Sequence, residues 1–527
     1  MTRMDSPTSR AIRVFPLWAD LERPSVVAGQ TILVAAVVVL PLLYTLVPPL
    51  EDYPNHLARM FALASLRGNS GLSQFYEVEW APIPNLIMDL VVPPLVSLVG
   101  IYAAGRIFLA LVLLLMLTGP LVLHRAVHGR WSAWPLVGGL FVYNGFLFTG
   151  LMNYLFGVGL AVWGTAVWIM LSERPTMFRI AASLAFCAAL YVCHLSALGL
   201  YGLAIGAYEA WRLGASRRLD GRSVALSLAA LVLPALPFLW LLVQSPTWSL
   251  APAFEWESQG KLEAVTTFLT VYSDLSDIPL LILAGAAVYF GVRRGVVHFH
   301  PAGLLVLIVL SGAFLAMPRL AFGSWMADQR LVVGIFFITL GFASVDLRGL
   351  GISNLFFALC LASIAFRVVD VSVNWASTSQ AILELRDTVR RMPFGSRLLV
   401  TQSDDPATAT AVGAALSHAP TLAVIERSAL VSRLFVVPGK QVLHARPGVR
   451  DHVDTQDGDT PTVSRVMAAA AEPAPGGPTY WDRWLLNYDY LIVLGTDPDE
   501  SANPAPDRLR IVHNGRAFQF YAIRRAS

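Results

Sequence analysis

Charge is scarce in this chain. Of 527 residues only 14% are Asp, Glu, Lys or Arg, while 56% are hydrophobic. A soluble domain carries nearer a quarter charged residues, so the deficit speaks against a free globular enzyme and predicts a polytopic membrane protein. The formal charge of +3 is small and scattered, which argues against a nucleic-acid partner. Cysteine is nearly missing too. Cys187, Cys193 and Cys360 each lie in an apolar run and read as small core residues, not as a disulfide set or zinc site. Neither Cys-x-x-Cys nor His-Glu-x-x-His occurs. No Gly-x-Gly-x-x-Gly opens a βαβ unit, and no phosphate loop ends in Gly-Lys-Ser/Thr. Hence no nucleotide cofactor is expected. Residues 1–26 are polar or mixed, and no small-residue site closes the apolar run that follows, so a cleavable signal is not expected.

Long apolar runs are what the chain has instead. The first covers 27–50 and follows Arg3, Arg10, Arg13 and Arg23, which favours a cytoplasmic segment 1–26. Further runs occupy 106–123, 133–149, 151–171, 180–193, 196–211, 224–244, 279–291, 301–317, 331–345 and 351–369. Threaded in order they put Arg125 and Arg130, Arg174 and Arg179, Arg212 to Arg218, Arg293 and Arg294, and Arg348 on the cytoplasmic side, as positive-inside bias requires. Arg67, Arg319 and Arg330 are left outside. The expectation is an all-α membrane domain over 27–370 with about 11 spans. Residues 82–100 carry Pro82, Pro84, Asp89, Pro93 and Pro94. They read as a re-entrant or interfacial segment, because counting them as a span would turn the clustered basic loops outward.

After about residue 371 Pro, Gly, Asp and Thr rise and long apolar runs stop. Short strands are predicted at 396–401, 422–425 and 490–494, helices at 379–391 and 407–417. A closing hairpin joins 508–513 to 517–523 around Asn514-Gly515. This gives a small soluble α/β domain, 371–527, on the non-cytoplasmic side. Residues 450–478 read as a mobile loop. Tyr480, Trp481 and Trp484 are expected to dock the domain on the membrane part.

The sharpest stretch is Pro49-Leu50-Glu51-Asp52-Tyr53-Pro54-Asn55-His56-Leu57-Ala58-Arg59, directly after the first run and opening an external loop over 50–81. Acids at a hydrocarbon edge are costly unless hydrated, paired or used. Residues 53–65 show helical spacing in Leu57, Met60, Phe61 and Ala64. The plain reading is a polar loop with an interfacial helix; the functional one is an acid or metal-binding pair, Glu51 and Asp52, flanked by His56 and Arg59. The loop 245–278 mixes aromatics with acids, as an aromatic belt or a sugar-stacking surface would. The loop 318–330 sets Arg319 and Arg330 on the side of the acids, where they suit a phosphate or lipid headgroups.

One span, this acid-bearing stretch, many spans and a soluble outer domain together resemble the GT-C superfamily of integral membrane glycosyltransferases. The resemblance implies a polyprenyl-phosphate sugar donor, a glycan, lipid or protein acceptor in the envelope, and membrane lipids as surroundings. The location implied is a bacterial inner membrane with the C-terminal domain outside. It also implies inversion at C1, with Asp52 as base, Glu51 second, and His56 supporting Asp52 one helical turn away or serving as the base itself. Arg59, Arg319 and Arg330 are the candidates for the donor phosphate. Glu51 and Asp52 are the candidates for a divalent cation, Mg or Mn. Many members of that group carry a second acid in a later external loop; the turn Gly150-Leu151-Met152-Asn153 has none, leaving Glu77, Glu79, Asp274 or Asp277. The alternatives are a transporter or flippase for a lipid-linked saccharide, a non-catalytic assembly subunit, and acyl transfer around His194, which at a span end has a duller use in satisfying the helix turn.

Overall fold

Leucine, valine and alanine fill the long helices, and the polar residues among them are few enough to trace singly. The computed structural model describes residues 23–216, 220–270, 272, 274–347, 350–404, 411–469, 478–496 and 502–525. Among these, six helices are long and apolar enough to cross a membrane: Pro24–Tyr44, Ile101–His128, Met152–Met170, Thr176–Cys193, Gly221–Gln244 and Ile352–Val389. Leu195–Ala215 and Asp274–Arg293 are further long helices. Ile87–Val99, Pro301–Ala316 and Leu331–Phe342 are apolar but shorter. At about 1.5 Å per residue these three fall short of a ~30 Å hydrocarbon layer.

The run expected to span at 133–149 is not a regular helix. It forms the 3-10 turn Trp134–Leu140 and the short helix Gly145–Phe148. Pro135, Gly138, Gly139 and Gly145 remove helix propensity, and Asn144 closes the break. Its Oδ1 accepts from Phe146 N and Leu147 N at 3.1 and 3.2 Å, while Nδ2 donates to Phe141 O at 2.8 Å. Such backbone is tolerated at depth when protein covers it, and most of 135–147 is buried. The segment still returns along the bundle. Gly105, early in Ile101–His128, lies against Tyr53, and the Glu51 and Asp52 amides bond to Phe148 O and Thr149 O.

The other end of the bundle gathers the basic loops. Arg130 donates to Ser344 at 3.0 Å, and Arg179 and Arg212 both reach Glu209, at 3.0 and 2.6 Å. Val297–Phe299 pairs with Ala343–Val345 there, so the run expected to span 331–345 ends as helix at Phe342.

The C-terminal part is built on a five-stranded sheet. Its strands lie in the order Leu509–Gly515, Phe518–Ile523, Tyr490–Leu494, Arg397–Gln402, Leu430–Val431, the last two pairings parallel. Residues 422–425 belong to the helix Leu422–Arg427, and Leu430–Val431 supplies the strand instead. The hairpin pairs Gly515 with Phe518, so it turns at Arg516-Ala517, two residues past the expected Asn514-Gly515. Within the expected mobile loop, Val463–Ala469 is helical and Asp454 is ion-paired to Arg433; residues 470–477 lie outside the described set. Trp481 and Trp484 do not face the membrane part. They pack with Leu399, Leu491 and Tyr521 beneath the sheet. Of the helix expected at 407–417, Ala411–Leu416 is described and helical.

No linker separates the two parts. Leu350–Val389 is one helix of 40 residues running through the expected boundary at 370–371. One hydrophobic cluster contains Val34, Leu57 and Val158 together with Leu398, Leu422 and Phe520. The loop after the first span adds a strand, Tyr76–Val78, antiparallel to Leu443–Ala445, and Tyr102 and Arg386 both bond Glu426 at 2.6 Å.

Candidate active site

Backbone geometry fixes the acid pair before any side chain acts. Glu51 N donates to Phe148 O at 2.7 Å and Asp52 N to Thr149 O at 3.3 Å. Asp52 is then the N-cap of the helix Tyr53–Ser65, which Pro54 helps to start. Gly150 makes this approach possible. Its φ is +92°, and a Cβ there would lie 2.7 Å from the Asp52 Cβ. The helix does not lie on an open interface: Asn55, Leu57, Ala58, Arg59 and Met60 are fully or almost fully buried.

Glu51, Asp52 and His56 line a cavity of about 680 Å³. The turn 149–153 and His194 form one side and Arg330 another, while the soluble domain supplies His418, Phe435, Lys440 and Asp457. The remaining wall is apolar, with Leu195, Leu200, Leu203, Ala313 and Met317. Leu203 and Leu315 nearby also show exposed surface.

Burial, followed by the neighbouring charges of Glu51 and Asp457, pushes the Asp52 carboxyl up to about 8, against the opposing pull of Arg330 and Arg433. Its side chain keeps 26% of its surface open, so it faces the cavity and is not sealed off. Burial also raises Glu51. Arg330 is drawn down to about 10 by burial and stays cationic near neutrality. Its Nη2 donates to Trp325 O at 2.9 Å, and its Nη1 lies 2.6 Å from His194 Nε2. His194 Nδ1 already accepts from Ser196 N at 3.1 Å, so it does satisfy the helix turn as expected. Burial and then Arg330 hold that ring neutral, and a neutral imidazole has one acceptor nitrogen to share between the donors Ser196 N and Arg330. Arg330 is the cation on this wall of the cavity, and an anion placed there would pair with it.

The other predicted residues fall elsewhere. Arg59 is not on the cavity wall; it donates to Asp89 at 2.8 Å in a fully buried ion pair. Arg319 is held by Glu263 at 2.8 Å and Glu257 at 3.3 Å, with its guanidinium over Trp325, and does not line the cavity. The one-turn bond from Asp52 to His56 is made by backbone atoms, at 3.0 Å, and the His56 ring packs edge-on to Phe435. Burial, then Arg59 and His418, hold that ring far below its ordinary value, so it is a poor base. Glu77 faces Arg446 at 3.8 Å, Glu79 is exposed, and Asp277 is ion-paired with Arg367; the Asp274 side chain lies outside the described set. Besides Glu51 and Asp52, the acid on the cavity is Asp457, paired with Lys440 at 2.8 Å. Among the described residues no three His, Cys, Asp or Glu gather as a metal site. A Mg²⁺ held by Glu51 and Asp52 alone would complete its shell with water or substrate oxygens.

His418, Lys440 and Asp457 carry no sequence signal that marks them, since their place is set by how the soluble domain docks. No protein-family model and no curated protein matches the chain.

Proposed function

We propose that the protein is a membrane glycosyltransferase of the GT-C kind, moving a sugar from a polyprenyl-phosphate donor to an envelope acceptor on the non-cytoplasmic face of a bacterial inner membrane. One observation carries the reading. An acid whose affinity for protons is raised and a buried arginine face the same cavity, between an apolar wall and a soluble domain. The apolar wall suits a prenyl chain, and Arg330 suits its phosphate. The polar side formed by the soluble domain suits a hydroxylated acceptor.

In this mechanism Asp52 accepts the proton of the acceptor hydroxyl as its oxygen attacks C1. The C1–phosphate bond breaks, its electron pair leaves with the phosphate, and Arg330 stabilises the added charge. A single displacement inverts C1. Glu51 beside Asp52 keeps that carboxyl basic and helps order the acceptor. No step needs a metal, although a phosphate-bound cation would find Glu51 and Asp52 near it.

The test is a panel of polyprenyl-phosphate sugars with candidate acceptors, offered to protein in lipid with and without divalent cations. Transfer from one donor with inversion is expected. Asp52→Asn should cost roughly 10²–10⁴ in rate, and Glu51→Gln less. Folded Asp52→Asn and Glu51→Gln with full cellular function, and no donor consumed, would sink the enzyme reading. Movement of intact lipid-linked sugar across the bilayer would then identify a transporter.

A further inference from the structure

We infer that His418, brought from the soluble domain, is a positioning residue that donates its Nε2–H to the Asp52 carboxylate, with its tautomer fixed through Asn55. This rests on the reading of Asp52 as the base. Two backbone groups beside Asn55 have roles that cannot change. Phe435 N–H must donate, and it does so to Asn55 Oδ1 at 2.9 Å. The Arg433 carbonyl must accept, and it does so from Asn55 Nδ2 at 2.8 Å. The Asn55 amide is therefore held one way round. Its Nδ2 also lies 3.0 Å from His418 Nδ1, so Nδ1 must be the acceptor and the ring proton must sit on Nε2. That Nε2 is 3.4 Å from Asp52 Oδ1. The separation is long for an N–H···O bond, and catalytic hydrogen bonds commonly tighten when substrate is in place.

The surroundings keep the ring in this state. His418 is 8% exposed and packs against Phe435, with ring centroids 4.9 Å apart. Burial first, and Arg433 second, push it down to about 3, with Asp457 opposing. His56, also neutral, lies on the same side. The groups facing Asp52 are thus Glu51 and Asp457 as acids, Arg330 and Arg433 as cations, and His418 as a neutral donor. A neutral donor aimed at a carboxylate favours the ionised form. It aims one oxygen lone pair and leaves the other oxygen for the acceptor hydroxyl. His418 itself cannot take the acceptor proton, because Nε2 is already protonated and Nδ1 is closed by Asn55.

Two measurements test this, one of which needs no turnover. In lipid nanodiscs, the infrared carbonyl band of protonated Asp52, identified by its loss in Asp52→Asn, is titrated. Solution or solid-state nitrogen spectra of ¹⁵N-histidine protein report the His418 tautomer, assigned by His418→Gln. Nε2–H is expected from pH 5 to 9. His418→Ala should raise the Asp52 midpoint by about one pH unit, and His418→Gln, which keeps an N–H donor of similar reach, should bring it back. Asn55→Asp places an acceptor opposite Nδ1 and should draw the proton there, raising the Asp52 midpoint while His418 is still present. A His418 proton on Nδ1 in the unaltered protein, or an Asp52 midpoint unmoved in folded His418→Ala, overturns the inference. If the midpoint moves as stated but Asp52→Asn transfers sugar normally, the contact stands and the base assignment falls.

Discussion

Burial, the carboxylates of Glu51 and Asp457, and the cations Arg330 and Arg433 all act on Asp52, and the result is an acid pushed up to about 8. The sign of its linkage follows. An unfolded aspartate titrates near ~3.9, so the folded protein binds the proton more tightly. The stability this adds is full below about pH 4 and is lost as pH rises through about 8. Activity should run the other way, because the base form appears over the same interval. We expect kcat/KM to climb with pH and level off above about 8, while thermal unfolding in nanodiscs shows Asp52→Asn gaining on the unaltered protein between pH 5 and 9. A flat pH–rate profile across that range would exclude Asp52 as the base. Gly150 offers a second check at the same place. Gly150→Ala forces a Cβ against Asp52 at a positive φ, a strain of about 1–3 kcal/mol. The expected outcome is lost transfer with donor binding retained, read by comparing kcat with donor Kd. Sequence placed Glu51, Asp52 and Arg330 on one side of the membrane, and the cavity contains all three. It could not tell Arg330 from Arg319 or Arg59, because charge bias bears on membrane side alone while the direction of a side chain is set by tertiary packing. His418 was illegible for a related reason: it meets Asn55 across 363 residues, and no local period records such a contact.

At the level of elements, periodicity served where one face of a helix decides its fate. The helix Tyr53–Ser65 falls at the predicted residues because its apolar positions repeat at helical spacing. It misled at 133–149, where a run can be apolar throughout and still be punctuated by glycine and proline. A protein-covered non-helical segment and a helix have the same hydropathy. Arg59 teaches the same lesson from the side of charge. Next to the acids in sequence, it turns from the cavity to neutralise Asp89 on Ile87–Val99. Removing one member of a buried pair costs about 3–5 kcal/mol, whereas replacing both by apolar residues of like volume is often neutral. Arg59→Met alone should therefore lower the yield and melting temperature of the folded protein, and Arg59→Met with Asp89→Leu should restore both with donor affinity unchanged. Weak donor binding in the stable double variant would return Arg59 to the phosphate.

For the whole molecule, the acid pair and the soluble domain must share one side, since Tyr76–Val78 pairs with Leu443–Ala445. The three native cysteines are buried, so single cysteines introduced at exposed Gln74, Glu173, Arg294 and Gly448 report cleanly. An impermeant maleimide applied outside intact cells stripped of their outer wall should label positions 74 and 448 and spare 173 and 294. Labelling of only 173 and 294 would invert the proposed orientation. The membrane and soluble classes of segment were legible in composition alone, but their separation at residue 370 was not. Leu350–Val389 continues as one helix, about 60 Å long at 1.5 Å per residue, because a helix leaving the membrane needs only a change of side chains, not of backbone.

The bond between Asn55 and His418 also sets a clock on biogenesis. Asn55 leaves the ribosome early, and its partner follows 363 residues later, a delay of roughly 20–70 s at the usual ~5–20 residues per second of synthesis. Throughout that interval the growing chain carries its acid pair without the wall that His418, Lys440 and Asp457 provide. On the proposed function, a nascent chain arrested before residue 411 should be inert toward lipid-linked sugar, and a cysteine pair at 55 and 418 should cross-link only once the sheet domain has docked. The site would then be completed late in synthesis, as a quality check: only a chain translated and folded past His418 has a finished cavity wall.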